Sequence, residues 1–195
     1  MPRISPFHGL VFDTTVAGPL DQVTAPPYDV ISDRGRLDYL RMSPYSVVHL
    51  DLAEGDDDPS LPDSRYTRAA HLLQDWRLRG IVTRSTEPRY YAYEMTFAID
   101  GREHAIRGLL CAMDLEPWNG AIVPHERVME GPVQDRLQLL RATRTHVSPV
   151  YGIIGGPCEP LADLLGRLSG TPAPSRAQDE HGVTHSMWPI AADQA

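Results

Sequence analysis

The segment Tyr90-Tyr-Ala-Tyr-Glu-Met-Thr-Phe-Ala-Ile-Asp-Gly-Arg102 decides the fold, because it contains both a strand pattern and a turn. Every second residue from Tyr91 to Ile99 is aromatic or aliphatic, and a period of two is typical of a half-buried strand. Asp100-Gly101 follows, and glycine readily takes the positive φ that a two-residue hairpin turn requires. We therefore expect Arg102 to Asp114 to return antiparallel beside the first strand.

The aromatic stripe on this strand is compatible with two functions. It could be a platform on which nucleic-acid bases stack, or it could pack into the core. A hairpin with one buried face favours core packing.

Helical patterns lie on both sides of the hairpin. In residues 65–79, apolar side chains recur at Ala69, Leu72, Leu73 and Trp76, the spacing of one helix face, and Gly80 suits the C-terminal end. Further helices are predicted from Ser32 or Asp33 to Met42, from Val133 to Thr143 and from Pro160 to Leu168. Short strands are predicted at Gly9–Phe12, Val47–Leu52, Ala121–Val123, Val150–Ile154 and Val183–Ile190.

These elements predict an α+β fold. We expect a central mixed or antiparallel sheet built around the long hairpin at about 89–114, with three to four helices packed on it. Residues 1–170 are expected to form a single α+β domain. Residues 171–195 resemble a linker with one final strand and a polar tail.

Composition narrows the class of protein. The chain has 195 residues and a formal net charge of -8, which argues against broad nucleic-acid binding because that needs a positive field. No apolar run approaches the roughly 20 residues that span a bilayer, and no secretory signal is evident. Cys111 and Cys158 are too few for a disulfide framework. Together these features predict a cytoplasmic protein without nucleic-acid or membrane partners.

Ionisable residues concentrate between Pro124 and Tyr151. His125 and Glu126 are candidate catalytic groups, because histidine titrates near neutral pH and glutamate can act as a base. Arg127, Arg136 and Arg144 are candidate ligands for phosphate, since guanidinium groups donate in a fork that matches its oxygens. Residue types alone favour a solvated, salt-bridged helix face as the explanation of these arginines.

A second candidate segment is Ala25-Pro-Pro-Tyr-Asp-Val-Ile31. Two prolines stiffen this loop and could hold Tyr28 and Asp29 in a fixed pose for a ligand. A structural turn capped by Asp29 is the other interpretation.

Several motifs, in this order, resemble a family of bacterial and archaeal proteins known as "domain of unknown function 1015". They are Pro6–Leu10, Ala25–Ser32, Ser43–Asp51, Tyr90–Glu94, Pro124–Arg127, Gly131-Pro132, Asp135–Leu137, Leu140–Thr143 and Ser148–Gly152. Family members are typically about twice this long, and their second half opens with Asp-Gly-His-His-Arg. That element does not occur here, so the chain resembles an N-terminal half.

The resemblance implies a phosphotransferase or nucleotide hydrolase of the ParB and sulfiredoxin-like kind, with Mg²⁺ as a compatible cofactor. His125 or Glu126 would be the base, and Arg127, Arg136 and Arg144 would hold phosphate while Tyr28 and Asp29 close the site. The alternatives are a non-catalytic binding or regulatory module and an inactive truncated family member. The expected ligand is a small phosphorylated molecule or nucleotide, and a partner chain or a homodimer could complete the site.

Overall fold

The computed structural model describes residues 2–117, 120–124 and 127–193. Its helices are α1 (Thr14–Ala17), α2 (Leu20–Val23), α3 (Asp33–Met42), α4 (Val48–Asp51), α5 (Arg65–Leu78), α6 (Glu130–Thr143) and α7 (Glu159–Ser169), with a 3₁₀ turn at Tyr28–Val30. Its strands are β1 (Ile4–Ser5), β2 (Leu10–Phe12), β3 (Val82–Arg84), β4 (Arg89–Ile99), β5 (Arg102–Leu110), β6 (Ala112–Met113), β7 (Ser175–Gln178) and β8 (Thr184–Ala191). The predicted α+β class with antiparallel sheets is confirmed.

Contacts divide the described residues into two compact units. The first unit contains Met1–Val11, Arg84–His125 and Gly152–Ala195, and the second contains Phe12–Thr83 and Glu126–Tyr151, apart from the residues not described. The single domain expected over residues 1–170 stays a prediction.

The first unit is built on a four-stranded antiparallel sheet in the order β5-β4-β8-β7. The predicted hairpin is confirmed from Ile99 opposite Arg102 to Tyr91 opposite Leu110, whereas Ala112–Met113, expected to continue it, pairs with β1. Asp100 and Gly101 both have positive φ, 50° and 75°, which is the turn geometry that matches the twist of paired strands. Residues 171–195, expected to be linker-like with a final strand, contribute both β7 and β8.

The two faces of this sheet differ. Ala92, Trp188 and Ile190 are buried against Leu165 of α7, with further leucines of that helix packed around them. Alternation along β4 places Tyr91, Tyr93, Met95 and Phe97 on the opposite face. There Tyr91 is buried and its ring lies 5.3 Å from that of Phe7, which agrees with core packing at this end of the stripe.

The second unit is helical and contains the most regular predicted helix. Residues 65–79 were expected to be helical, and α5 runs from Arg65 to Leu78, with the Ser64 side chain accepting a hydrogen bond from the Thr67 N–H. Helix α3 begins as predicted, because the Ser32 hydroxyl accepts from the Gly35 N–H. Gly80 has a φ of 71°, the left-handed conformation expected after a helix end.

Three predicted strands are wrong. Val47–Leu52 contains helix α4 instead, because the hydroxyls of Ser43 and Ser46 accept bonds from the Tyr45 and Val48 N–H groups and favour a turn over an extended chain. Residues 121–123 and 150–154 form no strand, and Val150 is 91% exposed. A short apolar run forms a stable strand only when a neighbouring strand is present to pair with its backbone N–H and C=O groups. No helix among the described residues is both long enough and apolar enough to cross a bilayer.

Candidate functional site

Helices α5 and α6 of the second unit pack together and position a cluster of charged groups. Tyr66 and Ala69 of α5 are buried with Leu139 of α6, which fixes how the two helices face each other. Three residues before Leu139, the N-terminal half of α6 carries Asp135 and Arg136. We call Tyr28, Asp51, Arg65, Tyr66, Asp135, Arg136 and Ser148 the Arg136 network.

The guanidinium of Arg136 is held from three sides. Its Nε donates to Asp135 Oδ2 at 2.7 Å, and it also forms ion pairs with Asp135 and Asp51 through its terminal nitrogens. Nη2 further donates to the Asp51 carbonyl oxygen at 3.1 Å. The ring of Tyr28 lies under the group, 4.0 Å from centroid to Cζ, which is close enough for a cation–π contact. These contacts use most of the five N–H donors of the side chain.

Asp51 is the most deeply buried charge of the network. It is only 7% exposed, and its two carboxylate oxygens accept from Arg136 and from the Ser148 hydroxyl, the latter at 2.9 Å. A buried carboxylate is tolerated only when it is paired and hydrogen-bonded. The second unit is made of two chain segments, and Asp51 in the earlier one bonds to Arg136 and Ser148 in the later one. Asp51 therefore links the two segments.

Asp135 bridges the two arginines. One oxygen pairs with Arg136, and the other pairs with Arg65 and accepts from the Tyr66 hydroxyl at 2.9 Å. Burial raises the pKa of Tyr66, and the nearby Asp135 adds to that shift although Arg65 opposes it. Burial acts to lower the pKa of Arg65, but Tyr66, Asp135 and Asp57 outweigh it and raise that pKa above its usual value. The Arg65 Nε lies 2.9 Å from an Asp57 carboxylate oxygen.

Among the candidate site residues that the structure describes, it brings Tyr28 and Arg136 into contact. Asp29 follows in the 3₁₀ turn with an exposed side chain. Arg127 is exposed in the loop before α6, and Arg144 is exposed at the other end of that helix, where its φ of 52° is left-handed. The two candidate catalytic residues, His125 and Glu126, lie outside the described residues.

Sequence reasoning assigned no role to Asp51, Asp135, Arg65 or Ser148. Three of these four occur in the motifs that carried the family resemblance, which was a usable signal. Asp51 was hidden because its segment reads as a strand, and Asp135 because an acid beside an arginine on a helix is typical of a solvated face. Nothing in the sequence distinguishes Arg65 from the other arginines of α5.

A groove lies in the same unit between α3, α4 and α5. Its larger part encloses about 480 Å³, with leucines 37, 40 and 72 and Ala53 as apolar lining. Its polar lining is Arg36, Arg41, His49, Glu54 and Arg68. An adjoining hollow of about 410 Å³ shares Arg36, Ala53 and Glu54 and reaches Arg65 of the Arg136 network. We call the two together the arginine groove.

The arginines of the groove are paired with acids near the surface. Arg36 donates from Nε to the Leu52 carbonyl at 2.8 Å and lies 3.7 Å from Glu54. Arg41 lies 3.9 Å from Asp38, and Arg68 pairs with Asp63. Exposed pairs of this kind contribute little to the stability of a fold. A strongly acidic ligand can therefore compete for Arg41 and Arg68 at small cost to the fold.

A smaller polar cluster occupies the sheet of the first unit. Tyr93 Oη lies 2.6 Å from His185 Nδ1, and His185 Nε2 lies 3.3 Å from Asp179 Oδ2. Burial acts to raise the pKa of Asp179, but hydrogen bonds from the Val183 N–H, His185 and the His181 N–H outweigh it and hold that pKa below its usual value of 3.8. Burial raises the pKa of Tyr93, so its hydroxyl keeps its proton.

No group of three His, Cys, Asp or Glu side chains is placed to hold a metal ion in the part of the chain that the structure describes.

An antiparallel sheet that includes a long hairpin, together with a helical unit that contains a buried ion-pair network, defines an α+β protein. Residues 4–195 match the family described as "Protein of unknown function (DUF1015)", and the chain belongs to that family. No curated protein and no solved structure matches the chain.

Proposed function

We propose that this chain binds a small phosphorylated molecule or nucleotide in the arginine groove. The observation that carries the proposal is the combination of three arginines and His49 with an apolar floor in one concavity of about 480 Å³. Ligand pockets usually have volumes of about 300–1,000 Å³ and combine an apolar lining with a few polar groups. A ligand with an anionic group and an apolar or planar body could place the first against the arginines and the second against the apolar lining.

Arg136 does not line the groove and is not proposed to contact phosphate. Its guanidinium already donates to Asp51 and Asp135 and stacks on Tyr28, so a phosphate would have to displace two carboxylates. The acidic partners of Arg41 and Arg68 are 62% and 73% exposed, so a phosphate can displace them more easily than the carboxylates around Arg136. The proposed phosphate contacts thus move from α6 and its two ends, where the sequence placed them, to Arg41 on α3 and Arg68 on α5.

The test is a thermal shift series with inorganic phosphate, ATP, ADP, CTP and phosphoserine, each with and without Mg²⁺. A ligand that binds only the folded state raises the melting temperature, by an amount set by its concentration relative to Kd. We expect at least one compound to raise it in the wild type and to lose the effect in Arg68→Gln and Arg41→Gln. Flat curves for the whole panel at millimolar ligand contradict the proposal.

Arg127→Gln and Arg144→Gln are the matched controls, because both arginines are exposed and neither lines the groove. Binding that survives in these variants and fails in the groove variants supports the groove. The reverse pattern locates the ligand at the ends of α6 and contradicts it.

The catalytic form of the proposal is a phosphotransferase or nucleotide hydrolase in which His125 or Glu126 acts on the bound phosphoryl group. It rests on the family resemblance alone. Release of phosphate from ATP, compared between the wild type and the variants His125→Ala and Glu126→Ala, tests this form separately from binding. Binding without turnover supports the alternative of a non-catalytic module.

A further inference from the structure

Strand β5 is an edge of the four-stranded sheet and is unusually exposed. In the part of the chain that the structure describes, β4 is its only neighbour. Residues 102–107 are exposed on both faces of the strand, and among them Ile106 is 42% exposed. Ile99, the last residue of β4 before the turn, is 53% exposed. An exposed edge with apolar side chains offers unpaired N–H and C=O groups to another strand.

The register of the hairpin shows which backbone groups of β5 are unpaired. In a two-residue hairpin, the residues that flank the turn exchange both hydrogen bonds, and bonded and non-bonded pairs then alternate. Ile99 and Arg102 flank the turn here, so the even-numbered residues of β5 bond toward β4. The N–H and C=O groups of Glu103, Ala105 and Arg107 consequently point away from the sheet.

The charges on this edge are arranged symmetrically about Ala105. Glu103 and Arg107 are two residues on either side of it and carry opposite charges. If two copies of β5 pair antiparallel about Ala105, Glu103 of each copy lies directly opposite Arg107 of the other. Opposite charges at such cross-strand positions stabilise a sheet. Arg107 Nε donates to Glu94 of its own chain at 2.6 Å, which uses one of the five N–H donors of the guanidinium.

We propose that a second copy of this chain pairs with the β5 edge, joining two four-stranded sheets across a two-fold axis at Ala105. Edge charges usually prevent such pairing because like charges meet. Here the order Glu103, Ala105, Arg107 makes the edge complementary to itself. A two-fold axis also satisfies the rule that the same patch is used by both copies of a dimer. His104 of each copy then lies opposite Ile106 of the other.

The first test measures mass by size-exclusion chromatography with light scattering over a wide concentration range. The wild type is expected at twice the 21.7 kDa of one chain. Ala105→Pro should have the mass of one chain with an unchanged thermal unfolding curve, because proline removes an N–H that points outward and is tolerated at a sheet edge. A monomeric wild type at every concentration overturns the proposal. So does an Ala105→Pro variant that is folded and still dimeric.

A second test fixes the register. Ala105 faces its own copy on the axis at about 5.5 Å between Cα atoms, within the range for a disulfide. Ala105→Cys should form a covalent dimer under mild oxidation, whereas Glu103→Cys, which faces Arg107, should not. The wild type with its two native cysteines is the background control. Equal cross-linking of both variants, or none in Ala105→Cys, overturns the register, and neither result depends on ligand binding in the groove.

Discussion

Both units of this protein bury apolar side chains, and the second unit also buries a network of ion pairs. In the first unit, Trp188, Ile190 and Ala92 pack against α7 in an apolar core. In the second, Asp51, Asp135 and Arg136 form an ion-paired network between helices. Apolar packing loses stability in proportion to the volume removed, whereas a network of buried charges fails when any one partner is missing. The first unit should therefore respond to mutation gradually and the second abruptly.

The largest expected loss of unfolding free energy is that caused by Asp51→Ala. The substitution removes the more buried of the two carboxylates that pair with Arg136 and also removes the acceptor of Ser148. Breaking a buried pair in this way costs about 3–5 kcal/mol. Urea unfolding monitored by circular dichroism measures the loss. Ser148→Ala removes only one hydrogen bond to the same carboxylate and should cost about 1 kcal/mol. If the two variants lost similar amounts of unfolding free energy, the charge of Asp51 would not be what stabilises the fold.

Leu165→Ala tests the apolar core of the first unit. Leu165 is 6% exposed and contacts the sheet from α7, so truncation should cost about 2–5 kcal/mol by leaving a cavity. This loss should be the same in low and high salt, because it involves no charged group. A strong salt dependence of the Leu165→Ala effect would remove the contrast between the units.

These expectations show what the sequence could and could not predict. The hairpin and helix α5 were predictable because their apolar periodicity is local and long, over nine and eight residues. The Val48–Asp51 helix was missed because four residues are too few to show a period, and serine hydroxyls decided the backbone there. The Arg136 network was missed for another reason. Contacting members are separated by up to 108 positions, as Tyr28 and Arg136 are, and pairing at such a distance leaves no local pattern.

A smaller effect is expected at Tyr28. Tyr28→Ala removes the ring beneath Arg136 but leaves both carboxylates in place. A partly exposed cation–π contact is worth about 0.5–1 kcal/mol. Tyr28→Phe is the matched control, because it keeps the ring and should be close to the wild type in the same unfolding experiment. A loss in Tyr28→Phe equal to that in Tyr28→Ala would assign the contribution to the hydroxyl.

The smallest effect concerns acid stability of the first unit. The pKa of Asp179 is lower in the folded chain than its usual 3.8, so the ionised carboxylate stabilises the fold. This contribution is fully present above the unfolded pKa and is lost as pH falls through the folded one. The stability difference between the wild type and Asp179→Asn should be constant near neutral pH and shrink below about pH 4. A difference that grows on acidification would contradict the assignment.

The positions of the two cysteines have a practical consequence. Cys111 and Cys158 are both partly buried and both belong to the first unit, so the second unit contains no thiol. Burial raises the pKa of Cys111, which slows its reaction while the fold is closed. The rate of thiol labelling therefore reports on opening of the first unit alone. Trp76, 1% exposed beside Phe12 and Tyr45, supplies a fluorescent probe in the second unit.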